Sequence, residues 1–255
     1  MLTILLMLLL SQAPCQSASD LVAMLRSEDW NERDKAITRI RKEGCGNDAE
    51  IRRTLLSVFS ENLQELRESE AAVLAGAPPV PREDYAQYSI NLALLVADLE
   101  IKGDGIKGAG PLLLDAVQTG GTIPEALASI LAKDTEESGE VWELLNHRFY
   151  SNASFDRSRR TGYVLVLAKY VGREEQIEPE RKARLTQMVL DALADDQYAV
   201  QSAAVKASRY LLNDPLVRHR LGQIVQMGAL PGSPDSARRL AKNAKSALEA
   251  TEPIQ

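Results

Sequence analysis

The stretch LTQMVLDALADDQYAVQSAAVKASRYL, residues 185–211, decides the fold class. Its first half repeats apolar side chains at intervals of three and four residues: Leu185, Met188, Val189, Ala192 and Leu193. Residues 194–197 are mostly polar and break this pattern, and a second apolar series follows: Val200, Ala203, Ala204, Ala207 and Leu211. This spacing is typical of amphipathic α-helices, and a short polar link makes two such helices antiparallel neighbours. The sequence therefore predicts a helix pair over residues 179–212.

Three other stretches carry related patterns: residues 19–44 (SDLVAMLRSEDWNERDKAITRIRKEG), 108–131 (GAGPLLLDAVQTGGTIPEALASIL) and 236–250 (SARRLAKNAKSALEA). Residues 185–211 resemble a HEAT repeat, in which an apolar first helix ends at an Asp-rich turn and an Ala-rich second helix begins with a basic residue. Arg33 occupies that basic position in the first stretch, whereas Gln201 replaces it here. The resemblance implies an all-α, right-handed, solenoid-like stack of antiparallel helix pairs, with the last stretch as a terminal cap.

The composition of the 255-residue chain also favours helices over strands. Hydrophobic residues make up 45% of the chain and are mostly Ala and Leu, while aromatic residues make up 5%. Ala and Leu are strong helix formers, and aromatic residues favour strands. Charged residues make up 26% and the net charge is −6, which excludes a disordered chain or a membrane protein and argues against nucleic acid as a general partner.

The N-terminus predicts export. Residues 1–10, MLTILLMLLL, are too short to span a bilayer but suit the apolar segment of a signal peptide. We therefore expect a signal peptide at residues 1–19, with membrane contact only if it stays uncleaved. No Lys or Arg precedes the apolar run, so a first helix of a cytoplasmic protein, or a wrongly assigned start, is the alternative. A lipoprotein centred on Cys15 is disfavoured, because residues 12–14, Gln-Ala-Pro, do not form a lipobox.

Residues 20–255 are expected to form one helical-repeat domain. The prolines of residues 76–82 predict a loop inside this domain, because proline lacks the N–H donor that a helix interior needs. The chain has two cysteines. If Cys15 leaves with the signal peptide, Cys45 stands alone; if Cys15 stays, the two can form a disulfide, although their spacing does not require it.

The sequence predicts no catalytic site, metal site or cofactor. Residues 103–108, GDGIKG, match the glycine pattern of dinucleotide-binding loops, but they follow a predicted helix over residues 90–101 instead of a strand. His147 and His219 have no Cys or Glu at metal-ligand spacing. No base that would activate Cys45 can be identified.

Together these patterns predict a non-catalytic protein–protein interaction or scaffold module of the cell envelope or exterior, whose partner is another protein. Trp30 and Tyr198, at or near turns, and Arg238 and Arg239, on the last helix, are the candidate partner contacts. An enzyme or ligand-binding protein on a helical-repeat scaffold is the alternative.

Nucleic-acid binding is a minor alternative, carried by cations in the C-terminal part: Lys206, Arg209, Arg218, Arg220, Arg238, Arg239, Lys242 and Lys245. Arg157, Arg159 and Arg160 form a smaller basic cluster. The competing interpretation is that these side chains form the solvated faces of amphipathic helices.

Overall fold

The structure is a computed structural model that describes residues 15, 17–76, 83–103, 105–117, 121–173 and 177–250. Regular structure in these residues consists of twelve α-helices and two short 3₁₀ turns, with no strand. The predicted all-α class is therefore confirmed. The chain divides into two compact units, Met1–Ala116 and Val117–Gln255. Most of the expected signal peptide, and residues 77–82 of the expected Pro-rich loop, lie outside the described residues.

The first unit contains five of the helices. They are α1 (Ala18–Leu25), α2 (Trp30–Glu43), α3 (Ala49–Leu74), α4 (Glu83–Ile101) and α5 (Ala109–Asp115). α1 packs against α2 and α3, α2 packs against α4, and α3 packs against α4 and α5. Alternate helices therefore lie side by side, as α1–α3–α5 and α2–α4. The core between them is apolar and includes Leu21, Leu25, Ile37, Ile40, Leu55, Phe59, Leu92 and Val96.

Polar side chains and glycines fix the helix ends of this unit. The sequence of residues 47–50, Asn-Asp-Ala-Glu, predicts a helix start. In the structure, the Asp48 carboxylate accepts hydrogen bonds from the backbone N–H groups of Glu50 and Ile51 and caps α3 there. Gly44 ends α2 in the left-handed conformation, with φ 69°. Residues 103–108 join α4 to α5, so the GDGIKG segment is an interhelix loop, as predicted.

A disulfide joins Cys15 to Cys45. Cys15 precedes α1, and Cys45 begins a 3₁₀ turn (Cys45–Asn47) directly after α2, where it is buried. The bond closes a loop of 30 residues around the α1–α2 pair. Constraining a loop of this length in the unfolded chain stabilises a fold by about 4 kcal/mol in the chain-entropy model. The sequence did not decide whether the two cysteines pair, and in the structure they form a disulfide.

The second unit contains the remaining seven helices. They are α6 (Thr122–Leu131), α7 (Glu136–Tyr150), α8 (Ser154–Val171), α9 (Pro179–Leu193), α10 (Tyr198–Ser208), α11 (Pro215–Gly228) and α12 (Asp235–Glu249). A 3₁₀ turn (Arg209–Leu211) follows α10. Neighbours in sequence pair as α6–α7, α7–α8, α9–α10 and α11–α12. In addition, α6, α8, α10 and α12 each contact the next member of that series, and α9 contacts α11.

The pattern that decides the fold class is confirmed residue by residue. All ten apolar positions that the sequence assigns to the helix pair at 185–211 are buried, and they lie on α9, α10 and the 3₁₀ turn after α10. The sequence also predicts the start of α6, because residues 122–125, Thr-Ile-Pro-Glu, fit a capping box with proline in the first turn. Thr122 is the first helical residue, Gly121 takes the cap position, and no side chain caps the helix. The capping-box pattern at residues 122–125 was wrong because α6 begins one residue earlier than that pattern requires.

α11 and α12 approach each other most closely at a glycine. A Cβ atom placed on Gly228 would lie 2.3 Å from the Ala241 Cβ and 2.7 Å from the Ala237 carbonyl oxygen. These distances are shorter than atomic contact allows, and one of the partners is backbone that cannot rotate away. Gly222 lies on the same helix, but a Cβ there would meet nothing within 4 Å.

The same substitution at these two glycines should therefore have opposite effects. We expect Gly228→Ala to lower the free energy of unfolding by about 2 kcal/mol, because the added methyl group forces α11 away from α12. Gly222→Ala should raise it by about 0.5 to 1 kcal/mol, because alanine is the better helix former. Urea unfolding monitored by circular dichroism measures both. Equal effects at the two positions would contradict the close approach.

Candidate partner-binding surfaces

Trp30 lies in a packed turn. It is the first residue of α2 and is half-buried, and its ring centroid lies 5.2 Å from that of Tyr88 on α4. The Arg33 guanidinium lies 4.3 Å from the Trp30 ring centroid and also donates to the backbone carbonyl of Ser27. Arg33 thus holds the α1–α2 turn from the position that the HEAT resemblance gives to a basic residue. Trp30 contributes to packing in this turn, and its half-buried ring offers little area to a partner.

Tyr198 is the more accessible aromatic candidate. It begins α10 and its residue surface is 39% exposed. Ser202 and Lys206 follow at intervals of four residues, so the three side chains share one face of α10. Lys206 is exposed and Ser202 is half-buried. The opposite face of α10 carries buried Ala203, Ala204 and Ala207.

Arg238 and Arg239 both lie exposed near the start of α12. Arg238 forms an ion pair with Asp235, one turn earlier in the same helix. Arg239 has no ion pair or hydrogen bond through its side chain among the residues that the structure describes. Of the two, Arg239 is therefore the one whose charge remains fully available to a partner.

Two of the three arginines in the cluster at residues 157–160 are paired with acids, which sequence reasoning missed. The Arg160 guanidinium lies 2.9 Å from an Asp195 carboxylate oxygen, and Arg157 lies 2.8 Å from Asp196. Arg160 also donates to the backbone carbonyl of Ser151. These bonds tie the start of α8 to the Asp-rich turn between α9 and α10. The acids at residues 195 and 196 are visible in the sequence, but only the fold brings them close to Arg160 and Arg157.

A second set of ion pairs joins α6 to α8. The Glu125 carboxylate lies 3.0 Å from Lys169 Nζ and 2.7 Å from the Arg173 guanidinium. Partial burial disfavours the ionised carboxylate, but the hydrogen bonds from Lys169 and Arg173 outweigh this and hold the pKa of Glu125 below its usual value. Lys169 and Arg173 are therefore both paired with Glu125 of α6.

Four cations on or next to α10 and on α12 differ from the paired cations of α8. Lys206 on α10, Arg209 just after it, and Arg239 and Lys242 on α12 are all exposed. None of the four forms an ion pair or hydrogen bond through its side chain within the described chain. α10 and α12 pack against each other, so these side chains lie on adjacent helices. We call these four residues the basic surface.

The residues considered for catalysis or metal binding do not form a reactive group. His147 and His219 are exposed and lie on different helices, and His219 is within 3.0 Å of the Gln223 side-chain nitrogen. Metal-ligand atoms come together at Cys15, Glu43 and Cys45, where they lie within 4.8 Å of one another. The two sulfurs there are joined as a disulfide, so neither is a thiolate that could bind a metal or attack a substrate.

Two open cavities lie in the second unit. One, of about 510 Å³, lies between α9 and the start of α11 and is lined in part by Lys182, Leu190, Tyr210 and Leu216. The other, of about 440 Å³, is lined by Leu131, Ala132, Lys133, Asp134, Tyr170, Glu178 and Arg181. The charges in the second cavity are balanced, with two cations and two carboxylates. This arrangement selects neither an anionic nor a cationic substrate.

Two tyrosines of the second unit have raised pKa values. Burial, aided by Asp156, raises the pKa of Tyr163 to about 12, and burial with a hydrogen bond to Asp191 raises that of Tyr150. A raised pKa makes a phenol a weaker acid near neutral pH and gives it no catalytic advantage. Both hydroxyls donate to these carboxylates and thereby serve the structure.

The two ion pairs at the Asp-rich turn allow a direct test. The side chains of Arg160 and Asp195 are only 16% and 6% exposed, whereas those of Arg157 and Asp196 are 55% and 68% exposed. We expect Arg160→Met to lower the free energy of unfolding by about 3 kcal/mol, because it leaves a buried carboxylate without its cation. Arg157→Met should change it by less than about 1 kcal/mol. Thermal or urea unfolding checks both variants, and a similar loss in each would contradict a structural role specific to Arg160.

Comparison with known proteins identifies no family for this chain. No family model and no curated protein matches the sequence. Two chains among solved structures match, and one of them is the crystal structure of an engineered protein. It is 14% identical, the match covers 92% of this chain and 97% of that chain, and the TM-score is 0.38. A TM-score of this size carries no argument about fold or function.

Proposed function

We propose that the protein is an exported, non-catalytic docking module whose helix pairs stack in the right-handed, HEAT-like manner. The observation that carries this proposal is the direct packing of α6, α8, α10 and α12, each against the next. Stacked pairs of this kind present one continuous row of helices to a partner, and such rows bind extended segments or other domains. In the first unit, the series α1–α3–α5 and α2–α4 follow the same alternation.

The chemistry of the surface favours docking over catalysis. Catalysis needs a nucleophile or base with a tuned pKa inside a pocket. In the described chain, the two cysteines are joined, the histidines are exposed, and the raised tyrosine pKa values belong to structural hydrogen bonds. The cations of the basic surface, by contrast, are exposed and without a partner in the described chain, as expected of a binding surface.

The disulfide supports export. Structural disulfides persist in oxidising compartments and are rare in the cytosol. The bond also requires that Cys15 remain in the mature chain, so cleavage would fall before Cys15 and not after Ser19. It would further exclude a lipid on Cys15, because that sulfur is already bonded. No helix in the described ranges is both long and apolar enough to cross a membrane.

Mass spectrometry of the protein purified from outside the cytoplasm tests this part. We expect an N-terminus at or before Cys15 and, in a non-reducing digest, a peptide containing Cys15 linked to one containing Cys45. Reduction of the same digest should separate the two peptides. A mature chain that begins at Asp20, or a lipid-modified Cys15, would contradict the proposal for the N-terminus and leave the docking role to its own test.

Cross-linking in the native compartment tests the docking role. A photoreactive residue at Ser246, exposed on α12, should cross-link the chain reproducibly to another protein. The control is the same residue at Ser57, exposed on α3 in the first unit, which should give a weaker or different adduct. The absence of any protein adduct, together with a metabolite that raises the melting temperature of the chain, would favour a ligand-binding protein or enzyme instead.

A further inference from the structure

We infer that the basic surface binds an acidic, extended segment of the partner protein. This inference rests on the docking role proposed above and assigns the chemistry of the partner. The chain as a whole carries a net charge of −6, yet residues 206–250 contain eight Lys and Arg and only three acids. The positive charge is therefore concentrated in α10, α11 and α12 at one end of the second unit.

The four cations of the basic surface have no carboxylate partner in the described chain, which is also true of the exposed Lys182 on α9 and Arg218 on α11. Elsewhere in the second unit, four arginines lie within 3.3 Å of a carboxylate: Arg157, Arg160, Arg173 and Arg184. The only acids on α12 are Asp235 and Glu249, which pair with Arg238 and Lys245. Lys206, Arg209, Arg239 and Lys242 have no such partner in the described part of the chain. In the free chain their charges are solvated, so they are available to carboxylates of a partner.

The geometry suits an extended segment. Neighbouring packed helices lie about 8–10 Å apart, so the cations form two short rows, one on α10 and one on α12. Arg239 and Lys242 are three residues apart and share a face of α12, and Arg209 follows Lys206 by the same interval. An extended chain of a few residues is long enough to reach from one row to the other. Tyr198, exposed on the same face of α10 as Lys206, adds an aromatic contact beside them.

Two observations favour an acidic protein segment over other anions. The Cys15–Cys45 disulfide points to an oxidising compartment, where nucleic acid is not the usual partner. An anionic membrane would need apolar side chains to insert beside the cations. The exposed face of α12 carries none; the exposed large apolar residues of this region are Tyr198 on α10 and Leu216, Met227 and Leu230 on α11 or just after it.

Binding of labelled poly-L-glutamate to the full mature chain, measured by fluorescence anisotropy, tests the inference. We expect binding at low salt that weakens as salt rises. Lys206→Glu with Arg209→Glu, and separately Arg239→Glu with Lys242→Glu, should each weaken it by about tenfold or more. The control is Lys102→Glu with Lys107→Glu, which reverses two exposed cations of the first unit that have no ion pair among the described residues, and it should leave binding unchanged.

Neutral variants keep the test valid if charge reversal disturbs folding. Arg239→Gln with Lys242→Gln should give an intermediate loss of binding with an unchanged melting temperature. Equal loss in the control, or no binding to the wild-type chain at low salt, would overturn the inference. Tighter binding to duplex DNA or to phosphatidylserine vesicles than to poly-L-glutamate would also overturn it, in favour of nucleic acid or a membrane.

Cross-linking the Arg239→Glu, Lys242→Glu variant in the native compartment separates this inference from the docking role. Loss of the adduct that the wild-type chain forms at Ser246 would support the basic surface as its binding site. An adduct that survives the charge reversal would overturn the assignment of the surface while leaving the docking role intact. No adduct with the wild-type chain would contradict the docking role itself.

Discussion

Close packing of small side chains between successive helices is the contact on which the second unit depends. Ala204 and Ala207 on α10 and Ala244 and Ala247 on α12 are fully buried, although each contributes little apolar area of its own. Helices with such faces gain stability only when their backbones approach closely, because dispersion and burial then extend along the whole contact. The approach of Gly228 to the Ala237 carbonyl shows how close that packing becomes. A helix lined with alanine therefore needs a neighbour on each apolar side, and the last helix, α12, leaves one face to solvent.

Side-chain bonds to the turns between helices are a second constraint, and they determine which arginines are paired. Arg33, the fourth residue of α2, and Arg160, the seventh residue of α8, each donate to a backbone carbonyl that precedes their helix. Arg160 also reaches Asp195 in the next turn, so one guanidinium joins two turns of the second unit. The fourth residue of α10 is the uncharged Gln201, at the place that Arg33 has in α2. The cations of the basic surface, on or next to α10 and on α12, form no such bond to a turn in the described chain.

The sequence predicted the helices well because each depends on local periodicity. The ten apolar positions of residues 185–211 could be predicted from the sequence alone. Apolar residues that repeat with the period of an α-helix lie on one side of it, and that side is the one that becomes buried. The start at Asp48 and the end at Gly44 were equally local. What the sequence could not predict were contacts between distant residues, such as the Cys15–Cys45 bond. The neutralisation of Arg157 and Arg160 also depends on acids some 35 to 39 residues away that only the packing of α8 on the α9–α10 turn brings near.

The same limit explains why the basic surface was recognised only as a composition bias. Its four cations lie on two helices, and their lack of acceptors is visible only once every neighbouring side chain is placed. The attraction of each cation to a carboxylate of the partner is also stronger than the repulsion between the cations. Two unit charges about 9 Å apart in water repel by roughly 0.5 kcal/mol before screening by salt, whereas a facing carboxylate at about 4 Å attracts each cation by roughly 1 kcal/mol. The free chain therefore tolerates the surface at little cost, and an acidic segment gains from several of its cations at once.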